Sequence, residues 1–131
     1  MDEYREYTAT IELMGEKYPL LLTTRAAREL AERYGGLEKI TDHLSGDDAA
    51  GAMCEVAWIV ALLANQPILR HNRLNPDKRK ELLSASDVEL FSAPGEVYGF
   101  SRAIMNAVNA GTKRNVPDGE GTEQEKNVEN G

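Results

Sequence analysis

Apolar and polar residues alternate along YTATIELM, residues 7 to 14: Ala9, Ile11 and Leu13 share one face while Thr8, Thr10 and Glu12 share the other. That is the period of a half-buried strand. Gly15-Glu16 reads as a tight turn and Tyr18 to Leu22 as the returning strand, with Pro19 at an edge position because proline has no N–H for the ladder. Two strands alone are only marginally stable, so the hairpin must pack on the helices C-terminal to it.

Beyond Leu22 the period lengthens. Thr23 or Thr24 caps a predicted helix through Tyr34, with Ala26, Ala27, Leu30, Ala31 and Tyr34 on one stripe and Arg25, Arg28, Glu29, Glu32 and Arg33 on the other; Gly35-Gly36 ends it. A short second helix carries Leu37, Ile40 and Leu44 until Ser45-Gly46 breaks the pattern. Asp47 or Asp48 caps a third, to about Asn65, which is apolar nearly all round, holds Glu55 as its only charge after the cap, and is therefore predicted to be central with Trp58 as its largest core anchor. Pro67 is expected to kink or interrupt it, with an amphipathic, basic continuation over Ile68 to Leu74. Asn75-Pro76 has the form of a fresh helix start, Asn as cap and Pro in the first position. Ser84 to Asp87 matches a capping box ahead of Val88, Leu90 and Phe91, and SAPGE opens a last helix to about Ala110, with Val97, Phe100, Ile104, Ala107 and Val108 on one face and Gly111 as its exit.

From Lys113 to Gly131 the composition shifts. Val116 and Val128 are the only apolar side chains beside eight charges, three glycines and Pro117. Ordering each backbone costs about 1 to 2 kcal/mol, whereas burying a valine returns about 1.5 to 3 kcal/mol, so a disordered polar tail is predicted. The reading is a mainly α fold: a single helical domain over residues 1–112, with an N-terminal β-hairpin on a bundle of about five helices, and a tail over residues 113–131.

Charge and chemistry narrow the function. Fifteen Lys plus Arg against 22 Asp plus Glu leave a net charge of -7, which argues against non-specific binding to a phosphate backbone. Asp2, Glu3 and Glu6 stand where a secretory signal would be basic and then apolar, and Val56 to Ala64 is about half of the roughly 20 apolar residues that cross a bilayer, so a cytoplasmic protein without membrane contact is expected. One cysteine and two histidines give no disulfide and no conventional zinc set. No G-x-S-x-G, Walker loop or dinucleotide fingerprint occurs, and the expectation is a non-enzymatic protein without cofactor, metal or small-molecule substrate. His43 is expected at the surface or boundary, His71 in a bland role among cations, and Cys54 as a small buried hydrophobe. Glu55 is read as the solvent edge of its helix; facing the core it would need a cation such as Arg70 or Arg73.

The stretch Arg70 to Lys80 places five permanent cations, Arg70, Arg73, Lys78, Arg79 and Lys80, beside one acid in an otherwise acidic chain. These are the candidate partner-binding residues, as against a solvated loop and helix face. LAERYGGLEKITDHL has the outline of a helix-turn-helix, with Leu30-Ala31 and Gly35 in place. Its second helix, however, would present Glu38, Lys39 and Asp42, a net negative face, to phosphates and puts Thr41 where an apolar residue belongs. A DNA-binding regulator is kept as an alternative.

KYPLLLTTRAARELAERYGGLEKI, EVAWIVALLANQ and LLSASDVELFSAPGEVYGFSRAIMNAV together resemble the tail assembly chaperones of long-tailed bacteriophages and prophages, across about residues 7 to 110 and in phrases such as YPLLLTTRA, RYGGLE and SAPGE. The resemblance implies a small, mainly helical protein of the host cytoplasm that binds the tape-measure protein and keeps it soluble until tail-tube subunits polymerise round it. The tail-tube protein is then a second candidate partner, and self-association stays open. It also implies a longer product made by ribosomal frameshifting, to which the polar tail would be the linker, and it carries over no catalytic residues. Another phage structural or accessory protein stands beside the regulator as the alternative.

Overall fold

A computed structural model describes residues 9–113 of the chain. The predicted tail lies outside the described residues except for Lys113, which closes the last helix.

Strands β1 (Thr10–Leu13) and β2 (Glu16–Pro19) pair antiparallel, with Leu13 opposite Glu16 and Thr10 opposite Pro19. Ala9, Ile11 and Leu13 face the core and Thr10 and Glu12 face out, as the alternation predicts. The turn lies one residue earlier than expected, at Met14-Gly15, because both residues take positive φ (56° and 76°). A two-residue loop with both φ values positive matches the twist of the strands. Leu20 to Leu22 are buried but belong to no strand; after Leu20 N–H bonds to Ala9 C=O (3.0 Å) the chain leaves the hairpin.

Helix α1 (Thr24–Tyr34) is capped by Thr23, whose Oγ1 accepts from the Ala26 N–H, and ends at Gly35 in the left-handed conformation. Ala26, Leu30 and Tyr34 are its buried stripe; Ala31, predicted on that stripe, is exposed. A single 3-10 turn over Leu37–Lys39 leads into α2 (Ile40–Leu44), which anchors itself by the fully buried Ile40.

Helix α3 (Ala49–Leu74) is the axis of the fold, touching α1, α2, α4, α5 and β2. Asp48 caps it by accepting from the Gly51 N–H. It buries Val56, Ala57, Ile59, Val60, Ala61, Leu63, Ala64 and Gln66, while its first two turns, Ala49 to Cys54, hold no buried residue although they are apolar: Gly51 and Ala52 are half-buried and the other four exposed. At 26 residues it is, by length and composition alone, long and apolar enough to cross a bilayer, and Val56 to Ala64 supply most of its buried residues, as in the central helix that the sequence predicts. Pro67 does not interrupt it. The carbonyl that proline leaves without an intrahelical donor, Leu63 C=O, accepts instead from Leu21 N–H at 3.2 Å.

The predicted helix start at Asn75-Pro76 is not one. Asn75 closes α3, its backbone and side-chain N–H groups both donating to His71 C=O at 2.8 and 3.0 Å. From there the chain turns back along α3 as an extended strap, gripped by side-chain amides. Asn72 donates to Lys80 C=O (3.0 Å) and accepts from Lys80 N–H (2.7 Å). Asn65 does the same for Leu83, at 2.7 Å each way. His71 Nε2 donates to Lys78 C=O at 2.7 Å. Seven residues separate the two asparagines, about two helical turns, so both lie on one face. Each grip completes the backbone hydrogen bonding of its strap residue, which removes the incentive to coil.

Helix α4 (Ala85–Leu90) has the predicted capping box, Ser84 with Asp87. A 3-10 turn, Pro94–Glu96, precedes α5 (Val97–Lys113), which buries Phe100, Ala103, Ile104, Ala107 and Val108. Gly111 is not the exit glycine. It lies inside α5 where a Cβ would come 2.5 Å from Leu22 Cβ, so its role is close approach to the segment after β2. The architecture is mainly helical, a two-stranded N-terminal hairpin on five helices.

Candidate functional site

Three side-chain constellations stand out at the surface. The first joins α1 to α3. Tyr34 Oη donates to Glu55 Oε1, and Arg33 Nε donates to the same oxygen at 3.0 Å. The Arg33 guanidinium lies 4.2 Å from the centroid of Trp58, and the Tyr34 ring meets Trp58 edge-on and His43 at 4.7 Å. Burial pushes Glu55 up, yet the hydrogen bonds from Tyr34 and Arg33 outweigh it and hold the carboxyl below its ordinary value. Burial, then the Glu55 hydrogen bond, pushes the Tyr34 phenol up. One expectation changes here. Trp58 is half-buried under Arg33, not enclosed in the core, because Arg33 supplies a cation for its outer face. Glu55 lies at the solvent edge of α3, as read, with its side chain 25% exposed, and the cation it takes is Arg33 of α1; Arg70 and Arg73 lie four to five turns along α3. His43 is exposed, as expected.

The second constellation is an apolar groove of about 310 Å³ between the uncovered start of α3 and the α4–α5 junction. Met53, Cys54, Ala57, Val88, Val97 and Phe100 line it, with Glu89 at its rim. Met53 is 41% exposed. Leu90, Phe91 and Tyr98, all exposed, belong to the same junction. Cys54, expected to be buried, is exposed because α4 and the turn before α5 face it across an open groove and do not close over it. The Glu89 carboxylate pushes its thiol up, with burial and then Glu55 and Asp48 adding to the effect. A raised thiol is a poor nucleophile at neutral pH.

The third lies at the other end of α3, where Arg25, Leu69, Asn72, Arg73, Pro76, Arg79, Lys80 and Leu82 surround a cleft of about 500 Å³. Of the predicted partner-binding residues, Arg73, Arg79 and Lys80 meet here. Arg70 and Lys78 are exposed but do not line the cleft, and Arg25, from α1, joins it. No periodicity marks Arg25 as part of this group; only the packing of α1 on α3 brings it there. The groove is likewise hidden in the sequence, since Ala49 to Cys54 has the composition of core.

Among the described residues no three His, Cys, Asp or Glu side chains gather as a metal ion requires. The helix-turn-helix outline resolves into an α2 of five residues whose exposed groups include Asp42. No known family model, characterised protein or solved structure matches the chain.

Proposed function

We propose that the protein is a tail assembly chaperone, holding an amphipathic helix of the tape-measure protein in the groove between α3, α4 and α5 and so keeping that protein soluble in the host cytoplasm. The observation that carries the reading is the uncovered apolar start of α3: Met53 and Cys54, with Val97 opposite, form a concave apolar surface on a chain that otherwise encloses most of its apolar residues. Helices dock in such grooves through apolar residues at i, i+3, i+4 and i+7. Glu89 in the groove wall favours a helix whose stripe is flanked by lysine or arginine, and the net charge of -7 keeps the complex soluble. Nothing in this role calls for catalysis.

The test is co-expression with the tape-measure protein of the same gene cluster. Its soluble yield should rise, and the complex should survive about 0.5 M salt, where contacts between exposed charges are strongly screened. Met53→Glu should abolish the gain while leaving the fold intact, since Met53 is outside the core. Failure to co-purify at low salt, together with retardation of a DNA fragment, would replace the chaperone with the regulator.

A further inference from the structure

We infer that the basic cleft at the C-terminal end of α3 is a second binding site, for an extended acidic peptide segment that carries an apolar side chain. The inference is independent of the chaperone reading: Met53 and Arg73 are 20 residues apart on α3, about 30 Å along its axis, so the two sites do not overlap.

Four cations converge on the cleft in a chain of net charge -7. Among the described residues no carboxylate lies within ion-pair distance of Arg73, Arg79 or Lys80, and Arg25 has only a loose contact with Glu29 at 3.7 Å. An anion seated in the cleft would be within reach of all four. The cations are also placed in advance. Arg79 and Lys80 ride on the strap whose backbone Asn72, Asn65 and His71 hold, so the binding geometry exists before a ligand arrives and less ordering is lost on binding.

The walls identify the anion. Leu69, Pro76 and a half-exposed Leu82 stand among the cations, and a peptide bearing leucine or valine between its carboxylates satisfies both kinds of surface. A phosphate backbone would use the cations and leave the leucines wet. Beyond the cleft, a long polyanion would also meet an acidic surface.

The experiment is fluorescence anisotropy on the full chain at low salt with a labelled glutamate-rich peptide containing two leucines, its all-glutamate counterpart, and a single-stranded oligonucleotide of matched charge. The leucine-containing peptide should bind tightest, and its affinity should fall as salt rises. Arg73→Glu with Arg79→Glu should weaken it by about tenfold or more. Lys78→Glu, on the same strap but outside the cleft, should stay within about twofold, as should Met53→Glu. All substituted residues are exposed, and an unchanged thermal melt will establish that each variant is folded. Tighter binding of the oligonucleotide, equal loss with Lys78→Glu, self-association that the double variant abolishes, or no peptide binding would each overturn the proposal.

Discussion

The backbone N–H of Leu21 donates to the carbonyl of Leu63 at 3.2 Å, and that acceptor is free of an intrahelical partner because the residue four places on is Pro67. A proline that would weaken an isolated helix thus becomes the point where the segment after β2 fastens to the central helix. Thr23 Oγ1, donating to Gln66 Oε1 at 2.6 Å, makes a second fastening beside it, and Gln66, the one buried polar residue among those described, is itself tied down through Nε2 to Leu62 C=O. Leu21 should therefore be among the slowly exchanging amides although it lies in no helix or strand. In Pro67→Ala the restored N–H competes for Leu63 C=O, and exchange at Leu21 should accelerate. Fast exchange in the unsubstituted protein would show that the bond does not form in solution.

Gly111 and Leu22 make the complementary contact on the other side of that segment. Alanine is favoured over glycine in a helix by about 1 kcal/mol, but here its Cβ would sit 2.5 Å from Leu22 Cβ, an atom tied to the backbone and unable to swing aside. Overpacking of this kind costs about 1 to 3 kcal/mol, so Gly111→Ala should lower the melting temperature. Adding Leu22→Gly, which removes that Cβ, should cost less in that background than in the native one, and a double-mutant cycle measures the coupling.

The features legible in the sequence are those the chain encodes within a few residues. The alternation of Ala9, Ile11 and Leu13, the Thr23 and Asp48 caps and the Ser84-Asp87 box are local rules, and all are observed. The departures share one cause. Local rules break the helix at Pro67 and restart it at Asn75-Pro76, yet the groups that decide the conformation there are Leu21, more than forty residues away, and the amides of Asn65 and Asn72. The spacing of those asparagines, seven residues on one helix face, is the trace the strap leaves in the sequence. Of the candidate sites, the cation run is legible because it is contiguous; Arg25 and the apolar groove are not, because both depend on how α1, α4 and α5 pack against α3.

The Asn65 grip makes a sharp test of the strap. Leu83 is buried, and losing both amide bonds would strand its N–H and C=O, at about 1 to 3 kcal/mol each. Asn65→Ala should therefore be strongly destabilising. Asn65→Asp keeps the acceptor for Leu83 N–H but sets a carboxylate against Leu83 C=O, which raises its folded pKa above the ordinary carboxylate value. Stability should then be higher in acid, where the protonated group donates as the amide did, and fall as pH rises through that raised pKa. A chemical-denaturation series across pH reads this directly; a flat profile would mean that the strap detaches.

Glu55 has the opposite sign. Its folded pKa is depressed, so its contribution to stability is complete above the ordinary carboxylate range and is lost as pH falls through the lowered value. Trp58, the single tryptophan, lies under the Arg33 guanidinium that Glu55 holds, so its fluorescence reports the cluster. Emission should stay constant from neutral pH down to about 4.3, the ordinary glutamate value, and shift to the red only below it. In Glu55→Gln that acid step should vanish, and the emission at neutral pH should already be red-shifted because Arg33 has lost its charged partner. An unchanged step in the variant would assign the titration to another carboxylate.

Cys54 offers a probe of the apolar groove that needs no engineered label. It is the only cysteine and it is exposed, yet Glu89 pushes its thiol up, so the reactive thiolate is scarce at neutral pH. Its reaction with an aromatic disulfide reagent at pH 7 should be slower than that of the same cysteine in the denatured chain, although solvent reaches it in both. Glu89→Gln removes the first cause of the shift and should speed the reaction several-fold. A helix seated in the groove covers the sulfur and should stop the reaction whichever residue stands at position 89, which separates shielding by a partner from suppression by charge. If the tape-measure complex forms and Cys54 still reacts at its free rate, the helix is held elsewhere on the domain and the groove is not its site.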